Sequence, residues 1–346
     1  MAGGTKDRPA NRPPTGADVA REAGVSPSTV SRALNGSGYA APEVRERVLA
    51  AAARIGYVPD ANARTLRSRS SRSIGVLISD LRNPFYADLA AGIEQVLRAA
   101  GYHMVLVNDD GRAEEEMSAV QAFVAMRVPG VIVTPVSAGA VQSLCRQGVR
   151  VVQADRRVST RYGDAVLGAN ESGAELVTRH LLGLGHRRIA LLIDETKWTT
   201  GSGRLAGYRA AHEAAGAPVD ERLIAYTTSF DVTAARGALG GLLDAYPEVT
   251  AVFAANNVLA QGALEEIQHR RMRIPLRLSL AAYDDVPWMS MVRPAITTVT
   301  QHTVEFGRRC AEVLLERLSG GGPERARTIR VEPELLVRGS TGPAAG

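Results

Sequence analysis

The stretch Val19-Ala-Arg-Glu-Ala-Gly-Val-Ser-Pro-Ser-Thr-Val-Ser-Arg-Ala-Leu-Asn35 places two helices around a tight turn. Val19, Ala20 and Ala23 recur at helical spacing, as do Val30, Ala33 and Leu34, and Gly24-Val25-Ser26 interrupts the two groups. Gly24 can take the left-handed conformation that ends the first helix. Ser26 can cap the second, and Pro27 stands in a first turn, where a missing N–H costs nothing. The second helix therefore begins abruptly and turns its first residues outward. Its exposed side carries Ser28, Thr29, Ser31 and Arg32. Small side chains let a helix approach a groove wall, hydroxyls bond phosphates, and a guanidinium matches guanine O6 and N7. Spacing alone also fits an ordinary pair of amphipathic helices, so the remainder of the chain must decide.

Charge follows the helix pair. Residues 1–73 hold 12 Lys and Arg against 6 Asp and Glu, whereas the remaining 273 residues hold 29 against 30. A basic amino-terminal segment on a near-neutral body suits phosphate contact, although an arginine-rich solvated face is the plain reading of any one residue. The whole chain, 346 residues with 45% hydrophobic and 22% charged residues, is long enough for two or three domains with sizeable cores. No apolar run reaches bilayer length, and the first residues lack the apolar core of a secretion signal, so a cytoplasmic protein is expected. Cys145 and Cys310 are too few and too distant for a disulfide framework or zinc site, and are expected to be buried free thiols. No cofactor is expected.

Residues 1–14, with Lys6, Arg8 and Arg12 among prolines and glycines, read as a disordered basic tail. Beyond the helix pair, Pro42 opens a third helix with an apolar stripe of Val44, Val48, Leu49, Ala52 and Ile55, which Gly56 ends. Three helices over residues 15–59 make a unit of the kind that carries a recognition helix. Arg45 and Arg47 on the third helix either touch phosphate or are plain surface. The segment 60–73 reads as a linker, rich in arginine and serine after Pro59. Asn62 to Arg67 allows little more than one helical turn, too short to persist alone. Arg64, Arg67, Arg69 and Arg72 around Leu66 fit either an apolar wedge in a DNA minor groove or a flexible basic linker.

From Ile74 the pattern changes. Apolar runs at 74–78, 104–107, 131–133, 149–152, 189–193, 251–254 and 278–283 alternate with helical stretches, predicting parallel sheets covered on both faces. About 260 residues of this exceed one such sheet, so two lobes are expected, with a ligand between them outside the carboxyl ends of the strands. Polar residues gather at those ends: Ser79-Asp80, Asp155, Asn256-Asn257 and Asp284-Asp285. Each singly is an ordinary cap or turn former; together they point to one cleft.

The chain resembles the lactose/galactose repressor (LacI/GalR) family of bacterial transcription regulators over roughly residues 15–340. The resemblance rests on collinear motifs: Asp18 to Ser26 with Ser28-Thr-Val-Ser-Arg32, Arg54-Ile-Gly-Tyr57 with Pro59, Arg64 with Leu66, Ile74-Gly-Val, Asn83-Pro-Phe85, Leu184-Gly-His-Arg187, Arg204-Leu-Ala-Gly-Tyr208, Ala282-Tyr-Asp-Asp285, and Thr297-Thr-Val with Gln301. It implies a small all-α helix-turn-helix domain followed by an α/β periplasmic-binding-protein-like core of two parallel-sheet lobes. By that pattern the core runs over 74–340, lobe 1 over about 74–167 and 298–328, lobe 2 over about 168–297 and 329–340. It also implies a homodimer on a pseudo-palindromic double-stranded operator, controlled by a small effector, a sugar before a purine or nucleoside. The family's base-reading positions match Pro27, Ser28 and Arg32 and its hinge leucine matches Leu66; with Thr29 and Ser31 on the same helix face and Asn62 and Ala63 in the hinge, these are the expected DNA-binding residues. Effector positions carried over are Ser79, Phe85, Asp155, Trp198, Thr200, Arg204, Phe230, Asn256, Asp284 and Gln301.

Two positions depart from the family pattern. Asn257 replaces a usual acidic residue, and Ala282 a usual glycine before the Tyr-Asp pair, which leaves the effector's identity open. Leucine heptads of tetrameric members are absent from 339–346, so a dimer is the simpler expectation. A periplasmic-type sugar-binding protein would share the core but have no use for the first 72 residues. An enzyme is disfavoured: Asp284 and Asp285 leave a strand in opposite directions, His180 and His186 cannot share a metal on one helix, and no phosphate loop or nucleophile elbow appears.

Overall fold

The computed structural model describes residues 12–35, 39–57, 71–194, 196–228 and 231–344. The chain divides into two compact units, Met1–Ser71 and Arg72–Gly346.

In the first unit, helices α1 (Gly16–Ala23), α2 (Pro27–Asn35) and α3 (Pro42–Arg54) pack around Val19, Ala20, Ala23, Val30, Ala33, Val48, Ala51 and Ala52. Thr15 caps α1, and Asp18 in its first turn accepts from the Thr15 backbone N–H at 2.9 Å and the Thr15 hydroxyl at 2.6 Å. Those bonds favour the ionised form and hold the acid well below the usual carboxylate range. Gly24 ends α1 at φ 64°, and Ser26 caps α2 by accepting from the Thr29 N–H at 3.1 Å. Arg54 reaches back to Glu22 at 3.0 Å, tying α3 to α1. The predicted stripe of α3 needs one correction: Leu49 is exposed, and Ala51 takes the buried place. A three-helix core this small turns only a narrow face of α3 inward.

The second unit contains two six-stranded sheets. Strands β1 (Ser73–Ile78), β2 (His103–Asn108), β3 (Gly130–Val133), β4 (Arg150–Asp155), β5 (Asp164–Gly168) and a returning β11 (Thr328–Val331) form the first, wholly parallel, in spatial order β11-β5-β4-β3-β1-β2. Helices α4 (Pro84–Ala99), α5 (Ala113–Ala125) and α6 (Ala138–Arg146) connect its strands. The second sheet uses β6 (Ile189–Ile193), β7 (Ile224–Tyr226), β8 (Ala251–Ala254), β9 (Ser279–Tyr283), β10 (Thr297–Thr300) and β12 (Glu334–Leu336) in order β12-β10-β9-β8-β6-β7. Only its β10–β12 pair is antiparallel. Helices α7 (Asn170–Gly183), α8 (Thr199–Ala214), α9 (Val232–Ala245), α10 (Asn257–His269) and α11 (Pro287–Met291) belong to this lobe, and α12 (Thr303–Leu318) returns to the first. Strand for strand, the two sheets repeat one order, so β4 answers to β9 and β1 to β6.

The chain passes between lobes after β5, after β10 and between β11 and β12. Two expected boundaries shift accordingly. Residues 298–300 belong to the second lobe, and 329–331 to the first, because the backbone of β10 and β11 completes its ladder before crossing. Cys310 is buried, but Cys145 is only half-buried, because it lies near the end of α6 instead of in the core.

Two helix pairs owe their closeness to glycine. A Cβ on Gly92 of α4 would stand 2.0 Å from the Val304 carbonyl oxygen, and one on Gly307 of α12 would stand 2.1 Å from that of Leu89. In the second lobe, a Cβ on Gly207 of α8 would stand 2.0 Å from the Glu171 oxygen of α7. Asn83 caps α4 at one end by accepting from the Phe85 N–H at 3.0 Å. At the other end, Tyr102 N–H donates to Leu97 at 2.9 Å, and His103 N–H donates to the Arg72 carbonyl at 2.8 Å, where β1 begins.

Candidate functional site

The carboxyl ends of the two sheets face one cleft. Asp155 ends β4 and Asp284 follows the equivalent β9, at φ 67° and 69°. Left-handed backbone is uncommon for residues with a Cβ, and Asp tolerates it better than most. The reversal at each strand end aims a carboxylate at the cleft. Asp285 goes the other way, to Arg338, with Nη1 and Nη2 donating at 2.7 and 2.8 Å. The adjacent aspartates therefore do not form an acid/base pair.

Arg204 on α8 is buried. Its Nε donates to Asn170 Oδ1 at 2.8 Å and its Nη1 to the Ala255 carbonyl, 3.6 Å from Asp284 Oδ2. Its guanidinium lies 3.8 Å above the Tyr283 ring. Gln301, on the crossing after β10, donates from Nε2 to Asp284 Oδ1 at 2.7 Å. The Asp284 carboxylate is thereby held between an amide and a guanidinium, with its second oxygen toward the cleft.

A second buried guanidinium, Arg156, faces this arrangement from the first lobe. It donates from Nη2 to Ser79 Oγ and, at 3.4 Å, to the Tyr86 hydroxyl, and it stacks 3.8 Å from the centre of the Trp198 ring. Burial pushes the Asp155 carboxyl up to about 6 against the attraction of Arg156 and Arg204. Behind Arg156, burial likewise raises Asp109 to about 6, against the Gly111 N–H it accepts at 2.8 Å. Glu116, accepting from Val136 N–H at 2.8 Å and the Ser137 hydroxyl at 2.7 Å, is also raised by burial.

Asp109 permits a clean prediction, since it sits behind the lining of the cleft. A folded-state value above the unfolded 3.8 means that the acid favours folding in its protonated form. This contribution is complete below about pH 4 and is lost as pH rises through about 6. Asp109→Asn, neutral throughout, should therefore raise stability at pH 7.5 by roughly 2–3 kcal/mol, with most of the gain gone near pH 4. Thermal melts across that range check it; a pH-independent difference would refute it.

Of the effector positions expected from sequence, Phe85, Asp155, Trp198, Thr200, Arg204, Asn256 and Asp284 line the cleft. Ser79 and Gln301 stand behind it and position Arg156 and Asp284. Asn256 caps α10, accepting from Leu259 N–H at 2.8 Å, and donates to Asp194 Oδ2 at 2.9 Å. Phe230 lies outside the described residues. The sequence reading passed over Arg156, Tyr86 and Asp194. The Asp155-Arg156 doublet, a charged pair closing an apolar strand, was the available signal.

On α2, Pro27, Ser28 and Arg32 are exposed, and Thr29 and Ser31 half-buried. Ser26 Oγ lies 2.8 Å from both Ser28 Oγ and Thr29 Oγ1, and Arg32 Nε donates to the Ser28 carbonyl at 3.3 Å. The helix thus opens with a cluster of hydroxyls and one guanidinium folded beside it. Asn62, Ala63 and Leu66 lie outside the described residues. His180 and His186 are tied to the carboxyl-terminal segment, His180 to Thr341 at 2.9 Å and His186 to the Gly342 carbonyl at 3.0 Å. Among the described residues no cluster of His, Cys, Asp and Glu could hold a metal, and no helix is long and apolar enough to cross a membrane.

Two family models match: bacterial regulatory proteins of the lacI family over residues 17–60, and a periplasmic binding protein-like domain over 178–341. The ribose operon repressor of Haemophilus influenzae is 31% identical over 324 residues, covering 93% of this chain and 97% of the relative. A lac repressor dimer bound to operator and the anti-inducer ONPF superposes with a TM-score of 0.84 at 27% identity, covering 96% of this chain and all of that one. The complex of the transcriptional regulator CelR with cellobiose gives 0.72 at 31% identity over 94% and 99% of the two chains. Full-length likeness of this kind, joined to the capped helix pair and the duplicated lobes, establishes that the chain belongs to the lacI family of bacterial regulatory proteins and is a DNA-binding transcription regulator.

Proposed function

We propose that this regulator is a repressor whose operator affinity is set by a neutral sugar bound between the two lobes of its core. The observation that carries the reading is the charge lining the cleft, Arg156 and Arg204 against Asp155, Asp194 and Asp284, which leaves no cationic excess for an anionic ligand. Each sugar hydroxyl both donates and accepts, so it can bond to guanidinium and carboxylate alike. Phe85 adds a flat apolar face of the kind that covers a sugar ring, and Trp198 another where Arg156 moves off it. The name of the ribose operon repressor and the cellobiose held by CelR support the same class of ligand.

At the other end, α2 offers Pro27, Ser28, Thr29, Ser31 and Arg32 to a major groove, a reading supported by their place in its first two turns. Asn62, Ala63 and Leu66 are assigned to the hinge on sequence pattern alone. A homodimer on a pseudo-palindromic operator is the assembly this reading requires, and the lac repressor dimer on its operator supports it. Such a protein works in the cytoplasm, on the nucleoid.

A thermal-shift panel of neutral sugars, sugar phosphates and nucleosides, followed by operator titration with each hit, tests the proposal. A neutral sugar should raise the melting temperature of the core and change operator affinity at least about tenfold, a coupling of about 1.4 kcal/mol. Stabilisation by nucleosides alone would refute the sugar assignment.

A further inference from the structure

We infer that Asn83 and Asn257 form a bar across the cleft that restricts the effector to a single sugar ring. The inference rests on the reading of the cleft as a sugar site.

Asn83 belongs to the first lobe and Asn257 to the second. Asn257 Nδ2 donates to Asn83 Oδ1 at 2.7 Å, and Asn83 Nδ2 donates to Asn257 Oδ1 at 3.3 Å. Each side chain is nearly buried, with 9% and 4% exposure. The amide of Asn83 is oriented by its own helix: Oδ1 accepts from Phe85 N–H as well as from Asn257, which leaves Nδ2 to donate to Asn257 Oδ1. Both partners are uncharged, and the pair is buried without the desolvation cost that a carboxylate would bring.

The position of the bar limits length. On the opposite side, the lobes are joined covalently where the chain crosses after β5 and β10. Asn83 follows β1, three strand positions from β5, and Asn257 follows β8, two positions from β10. At a strand spacing of about 4.8 Å, the span from crossing to bar is roughly 10–14 Å between backbones, before side chains from both ends extend into it. Gln301 extends from the crossing and the asparagines from the bar. A third tie, Arg157 N–H to Thr199 Oγ1 at 3.1 Å, joins the lobes beside the Arg156–Trp198 stack. The remaining cavity is about 50 Å³, lined by both asparagines. Movement of Arg156 off the Trp198 face makes room for one ring behind the closed bar; a second ring must pass through the bar.

Calorimetric titration of the full chain with ribose, glucose, cellobiose and maltose tests the size limit. At least one monosaccharide should bind and neither disaccharide should. Asn257→Ala should then admit a disaccharide, while binding of the monosaccharide weakens about three- to tenfold for the lost closing bond. A disaccharide binding the unaltered chain as tightly as a monosaccharide, or an unchanged profile in the variant, would overturn the inference.

A second measurement needs no ligand. Asn83→Asp alone keeps the cap and still accepts from Asn257, so its small-angle scattering should match the parent. Combined with Asn257→Asp it sets two carboxylates against each other, and the radius of gyration should increase at pH 7.5 and return toward the parent value near pH 4. An unchanged radius in the double variant would overturn the bar by itself. Should no sugar bind either protein while the double variant expands, the sugar reading fails and the bar stands.

Discussion

Replacing Arg204 with alanine should weaken sugar binding at least about 100-fold, while operator affinity measured without sugar stays within about twofold of the parent. Arg204 bonds to Asn170 and the Ala255 carbonyl, lies 3.6 Å from Asp284 and covers the Tyr283 ring. Truncating one member of a buried charge pair typically costs about 2–5 kcal/mol, because the other member stays buried without its partner. Gln301 would still hold one oxygen of Asp284, and the second would lose its nearest cation. The fold of the DNA-reading unit does not depend on Arg204, because the two units are separately packed. Fluorescence titration with operator and thermal shift with sugar check both halves. Sugar stabilisation that survives the substitution would mean that the cleft has been misplaced.

The second large effect concerns packing. Gly307→Ala should destabilise the core by about 3 kcal/mol, at the upper end of overpacking costs. A melting temperature lower by roughly 6–12 °C follows for a domain of this size. The added carbon would meet the Leu89 carbonyl oxygen at 2.1 Å, and a backbone atom inside a helix cannot move aside as a side chain does. Gly92 makes the reciprocal approach to Val304, so the two helices cannot separate at one site without losing the other contact. Calorimetry checks it; a decrease of under 2 °C would show that α4 and α12 accommodate a methyl group. Gly237, with open space around its would-be Cβ on α9, serves as the control, and its alanine variant should be neutral or slightly stabilised.

What the sequence revealed follows burial. Runs such as Ile74–Ile78 and Ile189–Ile193 are apolar at nearly every position because helices cover both faces of their sheets, and such runs read without ambiguity. The edge strand β11 alternates between exposed and half-buried residues over only four positions, and β12 spans three; neither leaves a pattern long enough to read. β5 escaped for another reason: it opens on Asp164, which looks like a turn residue until Arg317 is found beside it at 2.7 Å. The cleft was legible where polarity interrupts an apolar strand, as at Asp155 and Asp284. Arg156 was missed because its role depends on Trp198 of the other lobe, 42 positions along the chain. The pairing of Asn83 with Asn257, 174 positions apart, likewise exists only once both lobes are folded.

Helix α4 has Asn83 in the cleft at one end and, at the other, the turn leading to His103, which is bonded to Arg72. Its 16 residues make a rod of about 24 Å, and its lock to α12 stiffens it against bending. Arg72, bonded to His103 beyond the far end of the helix, is the first residue after the DNA-reading unit. The cleft and the residue at which the second unit begins thus share one rigid helix.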